Sequence, residues 1–294
     1  MLEFIFYQID NFCKQYENQL GNNLLSDGKN QRKRELSLSM SEVITIMIFY
    51  HHSGYKNFKD YYTKHVEIYM QNDFKKLVSY NRFLELRARA LPALCMFLNL
   101  KGLGKSTGIS VIDSFPLPVC HNKRIYSHKT FKGIAKRGKT SVGWFYGFKV
   151  HIVINHPGEL IAFAITPGNV SDNNEKLLLK ITKDLCGKLF GDRGYIVRQN
   201  LFETLYTRGI HLITKIRKNM KNKLMPFDDK LGLRKRGVVE SVGNVLKAGL
   251  SLAHTRHRSI VGFFGHIIST LVAYSFKEKK PSITGLSSTQ FVIC

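Results

Sequence analysis

The period of the apolar residues changes near Gly108, and few architectures accommodate that change. Upstream, apolar side chains recur at helical spacing in Leu2, Ile5, Phe6 and Ile9, and again from Val43 to Tyr50. A polar, basic loop from Ser26 to Glu35 separates these two helices, and Ser39 with Glu42 forms a capping-box pattern at the start of the second. Further helical patterns cover 61–77 and 80–98, the last expected to kink or break at Pro92. Downstream, the spacing becomes that of strands: Ile109 to Asp113, Trp144 to Ile154, and Leu160 to Thr166, with a turn at His156-Pro-Gly-Glu. Helix and strand then alternate, with helices over 173–185, 197–207 and 238–252 and strands over 188–192 and 210–216. The order β-β-β-α-β-α-β-α predicts an α/β fold with a mixed five-stranded sheet flanked by helices. The expected division is a helical region over residues 1–105 and an α/β domain over 106–294 that includes the C-terminal helices.

Charge narrows the choice of partner. Lys and Arg number 45 against 21 Asp and Glu, a formal net charge of +24 over 294 residues. Such a surplus works against the compact state by self-repulsion and suits a polyanion, with nucleic acid the first candidate. An anionic membrane surface is the alternative, but the basic residues do not gather on one amphipathic helix. Ser259 to Phe276 carries no Asp, Glu, Lys or Arg, yet holds His266, two glycines and several hydroxyls; it reads as a buried core helix, not a membrane span. The start of the chain lacks the pattern of a signal peptide. Five cysteines at wide spacing, none in a C-x-x-C pair, argue against a disulfide framework or a zinc site and for a reducing, cytoplasmic setting.

Three acids stand out against this basic background. Asp113 is read at the end of its strand in Val-Ile-Asp-Ser, Asp192 at the end of another in Phe-Gly-Asp-Arg-Gly-Tyr, and Glu240 in the helix Val-Val-Glu-Ser-Val-Gly-Asn. Carboxylates at the ends of apolar strands are costly unless they hold a cation. Two at adjacent strand ends, with a third from a facing helix, suit two Mg²⁺ ions roughly 3.5–4 Å apart that activate the attacking and leaving oxygens at phosphorus. Each acid alone is equally a turn or cap residue; the argument rests on their order along the predicted elements. That order also matches the ribonuclease H-like arrangement.

The segments Val111-Ile-Asp-Ser-Phe-Pro, Trp144-Phe-Tyr-Gly-Phe-Lys-Val-His, Thr166-Pro-Gly-Asn-Val-Ser-Asp, Gly191-Asp-Arg-Gly-Tyr and His254-Thr-Arg-His-Arg-Ser resemble bacterial insertion-sequence transposases, the insertion-sequence 982 family above all. Ser41-Glu-Val-Ile-Thr-Ile with Ser53-Gly-Tyr-Lys-Asn-Phe-Lys-Asp-Tyr-Tyr is similar to that family's N-terminal region, and Lys279-Lys-Pro-Ser-Ile to its C-terminus. The resemblance implies a DDE triad on Asp113, Asp192 and Glu240, binding Mg²⁺ with Mn²⁺ as a substitute. It also implies cleavage at transposon ends followed by strand transfer. The implied partners are double-stranded DNA, as terminal inverted repeats and target, and further copies of the chain on that DNA, within the bacterial nucleoid. Related families carry a Tyr-x2-Arg-x3-Glu-x6-Lys signature; Arg236, Glu240 and Lys247 stand at those spacings, but Leu233 replaces the Tyr. A nuclease of this fold that only hydrolyses, and an inactive DNA-binding descendant, are the alternative readings.

Two basic stretches are candidate DNA contacts. From His121 to Lys139 there are seven Lys or Arg residues and no acid, among them Lys123, Arg124, Lys129, Lys132, Lys136 and Arg137. From Lys215 to Arg236 there are nine basic residues and two acids, and here Asp228 and Asp229 read as a solvated pair in a loop. Lys149, Arg256 and Arg258 complete the set of candidate DNA contacts. Lys247, seven residues after Glu240 on one expected helix, would share its face. Asp172 reads as a helix N-cap, His151 as a structural histidine or one on a face near the active site, Trp144 as a strand-edge core residue or a platform for an unpaired base, and Asn169 as either a turn former or a ligand for water or phosphate.

Overall fold

The computed structural model describes residues 1–24, 37–74, 76–216, 220, 224–253 and 257–285. The chain forms two compact units, one of residues 1–102 with 246–276, the other of residues 103–245 with 277–294. The first is helical: α1 (Leu2–Leu24), α2 (Met40–Phe49), α3 (Phe58–Tyr61), α4 (Glu67–Tyr69), α5 (Tyr80–Phe97) and α10 (Ile260–Ser275). Its centre is α2, buried from Ser41 to Ile48 and packed by α1, α5 and α10. A helix apolar on every side can only lie at the middle of such a unit. The Ser39–Glu42 capping box starts α2 as the sequence predicts: the Ser39 side chain accepts from the Glu42 N–H and the Glu42 carboxylate accepts from the Ser39 N–H. Ser41 donates to Asp10 at 2.9 Å, tying α2 to α1.

Two expectations change here. The helix α5 runs unbroken through Pro92, because Phe83, Leu86, Ala90, Ala93, Leu94 and Phe97 are buried along its length and packing outweighs the single lost backbone hydrogen bond. The apolar helix α10 belongs to the helical unit, not to the α/β domain; it packs on α2 and α5. Among the described residues, no helix is long and apolar enough to cross a membrane. Cys13, Cys95 and Cys120 are free thiols.

The second unit is built on a six-stranded sheet of β1 (Ile109–Cys120), β2 (Lys136–Lys139), β3 (Trp144–Asn155), β4 (Leu160–Pro167), β5 (Gly187–Gly191) and β6 (Ile210–Thr214). β3 lies antiparallel between β1 and the pair β2 and β4, which share its other edge. β5 joins β1 in parallel, and β6 joins β5 in parallel. The order β4-β3-β1-β5-β6, with only the meander antiparallel, is the ribonuclease H-like one. The sixth strand, β2, is the end of the basic segment that the sequence left without regular structure. β1 is also longer than expected. It continues past Pro116 and Pro118, and a register shift follows between Pro118 and Cys120, an irregularity of the kind at which a strand tolerates proline.

Helices α6 (Glu175–Ile181) and α7 (Gln199–Thr207) belong to one face, where Ile112, Val153, Leu178, Leu189, Leu205 and Leu212 share a core. On the other side lie α8 (Phe227–Lys235), against β5 and β6, and α9 (Val238–Asn244), against β1. The sequence missed α8. Its Asp229 is not solvated but 3% exposed, and pairs with Lys188 of β5 at 2.5 Å. Pro226-Phe227-Asp228-Asp229 resembles a loop, yet a Pro before two acids equally opens a helix, where acids in the first turn favour the dipole. Removing one partner of this pair strands the other charge, so Asp229→Ala is expected to destabilise the protein by about 3–5 kcal/mol. Asp229→Leu combined with Lys188→Met is expected to recover most of that loss. Thermal denaturation checks this; an Asp229→Ala melting temperature equal to that of the parent would show the pair contributes nothing.

Candidate active site

The site follows from register. Val111 of β1 pairs with Phe190 of β5 in the parallel ladder, so Asp113 and Asp192, each two residues on, come level with one another. Side chains alternate along strands. Phe190 packs under Gly232 of α8, while Ile112 and Leu189 enter the α6–α7 core. Asp113 and Asp192 therefore face the α8–α9 side, where α9 presents Glu240. Asp113 is not at a strand end as expected but within β1, opposite Ile152. It is β5 that stops, at Gly191, and leaves this stretch of β1 without a neighbour on that edge.

Arg236, between α8 and α9, reaches into this group. Its Nη2 is 3.1 Å from the Glu240 carboxylate and its Nη1 4.0 Å from that of Asp113. The guanidinium is 12% exposed, whereas Glu240 is 61% exposed. Asp192 accepts from the Gly194 N–H at 2.7 Å and caps the turn Arg193–Tyr195. Burial pushes the Asp113 carboxyl up to about 6; the Ser114 N–H and Arg236 oppose the rise, and the charges of Asp192 and Glu240 add to it. The structure thus brings the three acids within electrostatic reach of one another.

A fourth carboxylate, Asp172, lies beside them. It is not a helix N-cap: Asn174 holds that position and accepts from the Leu177 N–H. Asp172 instead accepts from Ser114 at 2.8 Å and from Lys149 at 3.2 Å. A Cβ added at Gly194 would lie within 3.2 Å of both the Asp172 and the Asp192 carboxylates. His151 is fully buried, bonded to Thr166 at 2.9 Å and 3.9 Å from Asp172. Burial holds its imidazole down near 4, against the pull of Asp172. Tyr195 is buried beside the same groups, and burial with the charges of Asp172, Asp113 and Asp192 keeps its hydroxyl protonated. The Thr166-Pro-Gly-Asn-Val-Ser-Asp segment signals Asp172 in the sequence, but only the fold of the following turn shows that it points back to β1 and β3.

The candidate DNA contacts separate by exposure. Lys123, Arg124, Lys129, Lys132, Lys136, Arg137 and Arg258 are exposed. Lys149 is 13% exposed and held by Asp172, and Arg236 is held by the acids. Lys247 lies in a π-helical turn, Val245–Gly249, so the 3.6-residue spacing that aligned it with Glu240 is not kept. Arg256 lies outside the described residues. Trp144 is not a core residue: it is 53% exposed, with the Arg137 guanidinium 5.3 Å and the Lys139 ammonium 5.6 Å from its ring. Asn169 is exposed in the turn after β4.

Residues 103–260, more than half of the chain, match the model of the transposase DDE domain. The chain belongs to that family. It is a DNA transposase of the DDE type, an enzyme of DNA recombination. Curated proteins give no significant match. Among solved structures, the Mos1 strand transfer complex is similar at 10% identity and a TM-score of 0.25, covering 90% of this chain and 87% of that one. The Mos1 paired-end complex with the left transposon end gives 12% and 0.26, covering 90% and 88%. The fold assignment rests on strand order and register.

Among the described residues, no three Asp, Glu, His or Cys side chains converge as a ready metal cage. The donor set nevertheless fits a hard divalent cation. It is all carboxylate, without thiolate or imidazole, and the Asp113 pKa is raised mainly by burial, with the charges of Asp192 and Glu240 adding to the rise. The sign of that shift makes a test. A folded pKa near 6 against 3.8 unfolded means the native state holds the proton more tightly, so stability falls as pH rises from 4 to above 6. In metal-free buffer, Asp113→Asn is expected to stabilise the protein at pH 8 by up to about 3 kcal/mol, with the gain vanishing towards pH 4. Melts at both pH values decide it; a gain equal at both would locate the effect elsewhere.

Proposed function

We propose that Asp113, Asp192 and Glu240 are the catalytic acids of this transposase, and that Asp113 and Asp192 with Glu240 hold Mg²⁺, or Mn²⁺ in its place. The observation that carries the reading is the level placement of Asp113 and Asp192 on two parallel strands, with Glu240 drawn to them through Arg236. The bound metal would supply a stronger nucleophile and charge neutralisation at phosphorus. The chain's own groups do the rest. Asp113 lies within β1 and Asp192 directly follows the end of β5, so the parallel pairing of these strands brings the two level. Glu240 sits on an exposed helix surface and swings between Arg236 and the acids. Once Glu240 turns to the acids, the Arg236 guanidinium is free to take a phosphate oxygen, for which its geometry is suited. The Asp172–Lys149–Ser114 network buttresses β1 from the opposite face and keeps Asp113 in register.

The substrate proposed is duplex DNA bearing transposon terminal repeats, with target DNA as the second substrate. A water-derived hydroxyl cuts the end, and the exposed 3′-hydroxyl then attacks a target phosphodiester. The chain is proposed to act as a homo-oligomer on DNA at the bacterial nucleoid, as a transposase of the insertion-sequence 982 kind. Its helical region over residues 1–105 is proposed to read the end. The exposed cations Lys123, Arg124, Lys129, Lys132, Lys136 and Arg137 are proposed to supply phosphate contacts, as are Lys247, Arg256 and Arg258.

Replacing Asp113, Asp192 or Glu240 by Ala is expected to lower cleavage of a transposon-end duplex by at least about a thousandfold, because each removes a group acting at the reacting phosphorus. The variants are expected to fold, with non-specific duplex binding close to that of the parent. Cleavage at the parental rate by a folded Asp192→Ala protein would sink the assignment. Joining of pre-cut ends to target distinguishes a transposase from an enzyme of this fold that only hydrolyses.

A further inference from the structure

The helical unit contains a cleft of about 810 Å³ between the segment around Lys56–Lys59, the start of α5 and the start of α10. Its size falls in the range of small-molecule sites and well exceeds a lone phosphate. Among the described residues no Asp or Glu lines it, whereas Lys56, Lys59, Arg87, His257 and Arg258 do. Asp60 is engaged by Asn57 and Lys64, and Glu85 by Arg82.

Arg87 is the unusual member. It is half-buried, and its Nε is sealed from solvent with no hydrogen-bond partner. Among the described residues it has no carboxylate partner. Its guanidinium lies 5.5 Å from the Phe58 ring, and its Nη2 2.8 Å from where a Cβ would sit on Gly262, in the first turn of α10. A cation there faces the positive end of the helix dipole, which is unfavourable by itself. A desolvated guanidinium held against a helix N-terminus, without a counter-charge, is expected to await an anion. His257 adds to this. Its Nε2 is also buried without a partner, and burial together with His266 and Arg87 holds the ring down near 3. A neutral imidazole can present that nitrogen as an N–H donor. Phe58 and Tyr80 line the same space.

We propose that this cleft takes one nucleotide of a DNA end. Arg87, His257 and Arg258 hold its phosphate, and Phe58 and Tyr80 flank its sugar and base. The inference rests on the reading of this chain as a DNA-processing transposase and gives its helical unit a defined ligand. A base that leaves the duplex stacks on aromatic faces without regard to sequence, so the cleft would hold an unpaired terminal nucleotide better than a paired one.

The test uses the full chain and two fluorescent duplexes, one blunt and one with a short single-stranded overhang. Inorganic phosphate serves as the small-anion probe. Arg258 is exposed, so Arg258→Gln leaves the fold intact even if Arg87→Gln does not. Both variants are expected to bind the overhang duplex about tenfold more weakly, and to lose clearly more on the overhang duplex than on the blunt one. Unchanged overhang binding by the two variants would overturn the inference while leaving the DNA reading intact. Equal losses on both duplexes would make the cleft part of a general basic surface and overturn it too. Phosphate stabilisation of the parent that Arg87→Gln abolishes, with DNA binding untouched, would assign the cleft to a small anion and reject the nucleotide. No DNA binding by the parent would defeat both readings together.

Discussion

Everything at the candidate active site depends on the parallel pairing of β1 with β5. The ladder sets Val111 level with Phe190 and so delivers Asp113 and Asp192 to one edge and one face. Two carboxylates there repel, and burial makes the Asp113 charge costly. The fold tolerates this arrangement because α8 and α9 meet at Arg236, whose guanidinium spans Asp113 and Glu240. The local charge is balanced by this internal cation, and the acids are held close without being fused into a salt-bridged core.

The surroundings explain why the acids stay where they are. Asp172 links Ser114 of β1 to Lys149 of β3 on the opposite face, while Lys188 of β5 is fixed to Asp229 of α8. These two buried ion pairs clamp the strands that flank the acids. Buried pairs of this kind add little net stability but penalise alternatives that break them, so they favour one register of the sheet.

Much of this was legible in the sequence. The change of period at Gly108, the meander and the alternating half appear in the structure in the order read from the apolar pattern. Ser39 and Glu42 cap α2 as their spacing implied. What was not legible has physical causes. Asp172 looked like a cap because Asp commonly opens helices, and only the turn after β4 directs it to Lys149. Asp229 looked solvated because a Pro shortly before two acids opens loops and helices alike. Trp144 was expected in the core, since hydropathy does not reveal two cations waiting beside its ring. The position of α10 was hidden because an all-apolar helix fits any core. Lys247 shows the limit of counting by helical turns, which a π turn invalidates.

The central claim is that the carboxylates at the β1–β5 edge form a metal site. Mn²⁺ titration of the DNA-free protein, followed by electron paramagnetic resonance, tests it directly. The account predicts bound Mn²⁺ in the parent and in Asp60→Asn, a control in the helical unit, and its loss in Asp113→Asn and in Asp192→Asn. Equal Mn²⁺ binding by all four proteins would contradict it.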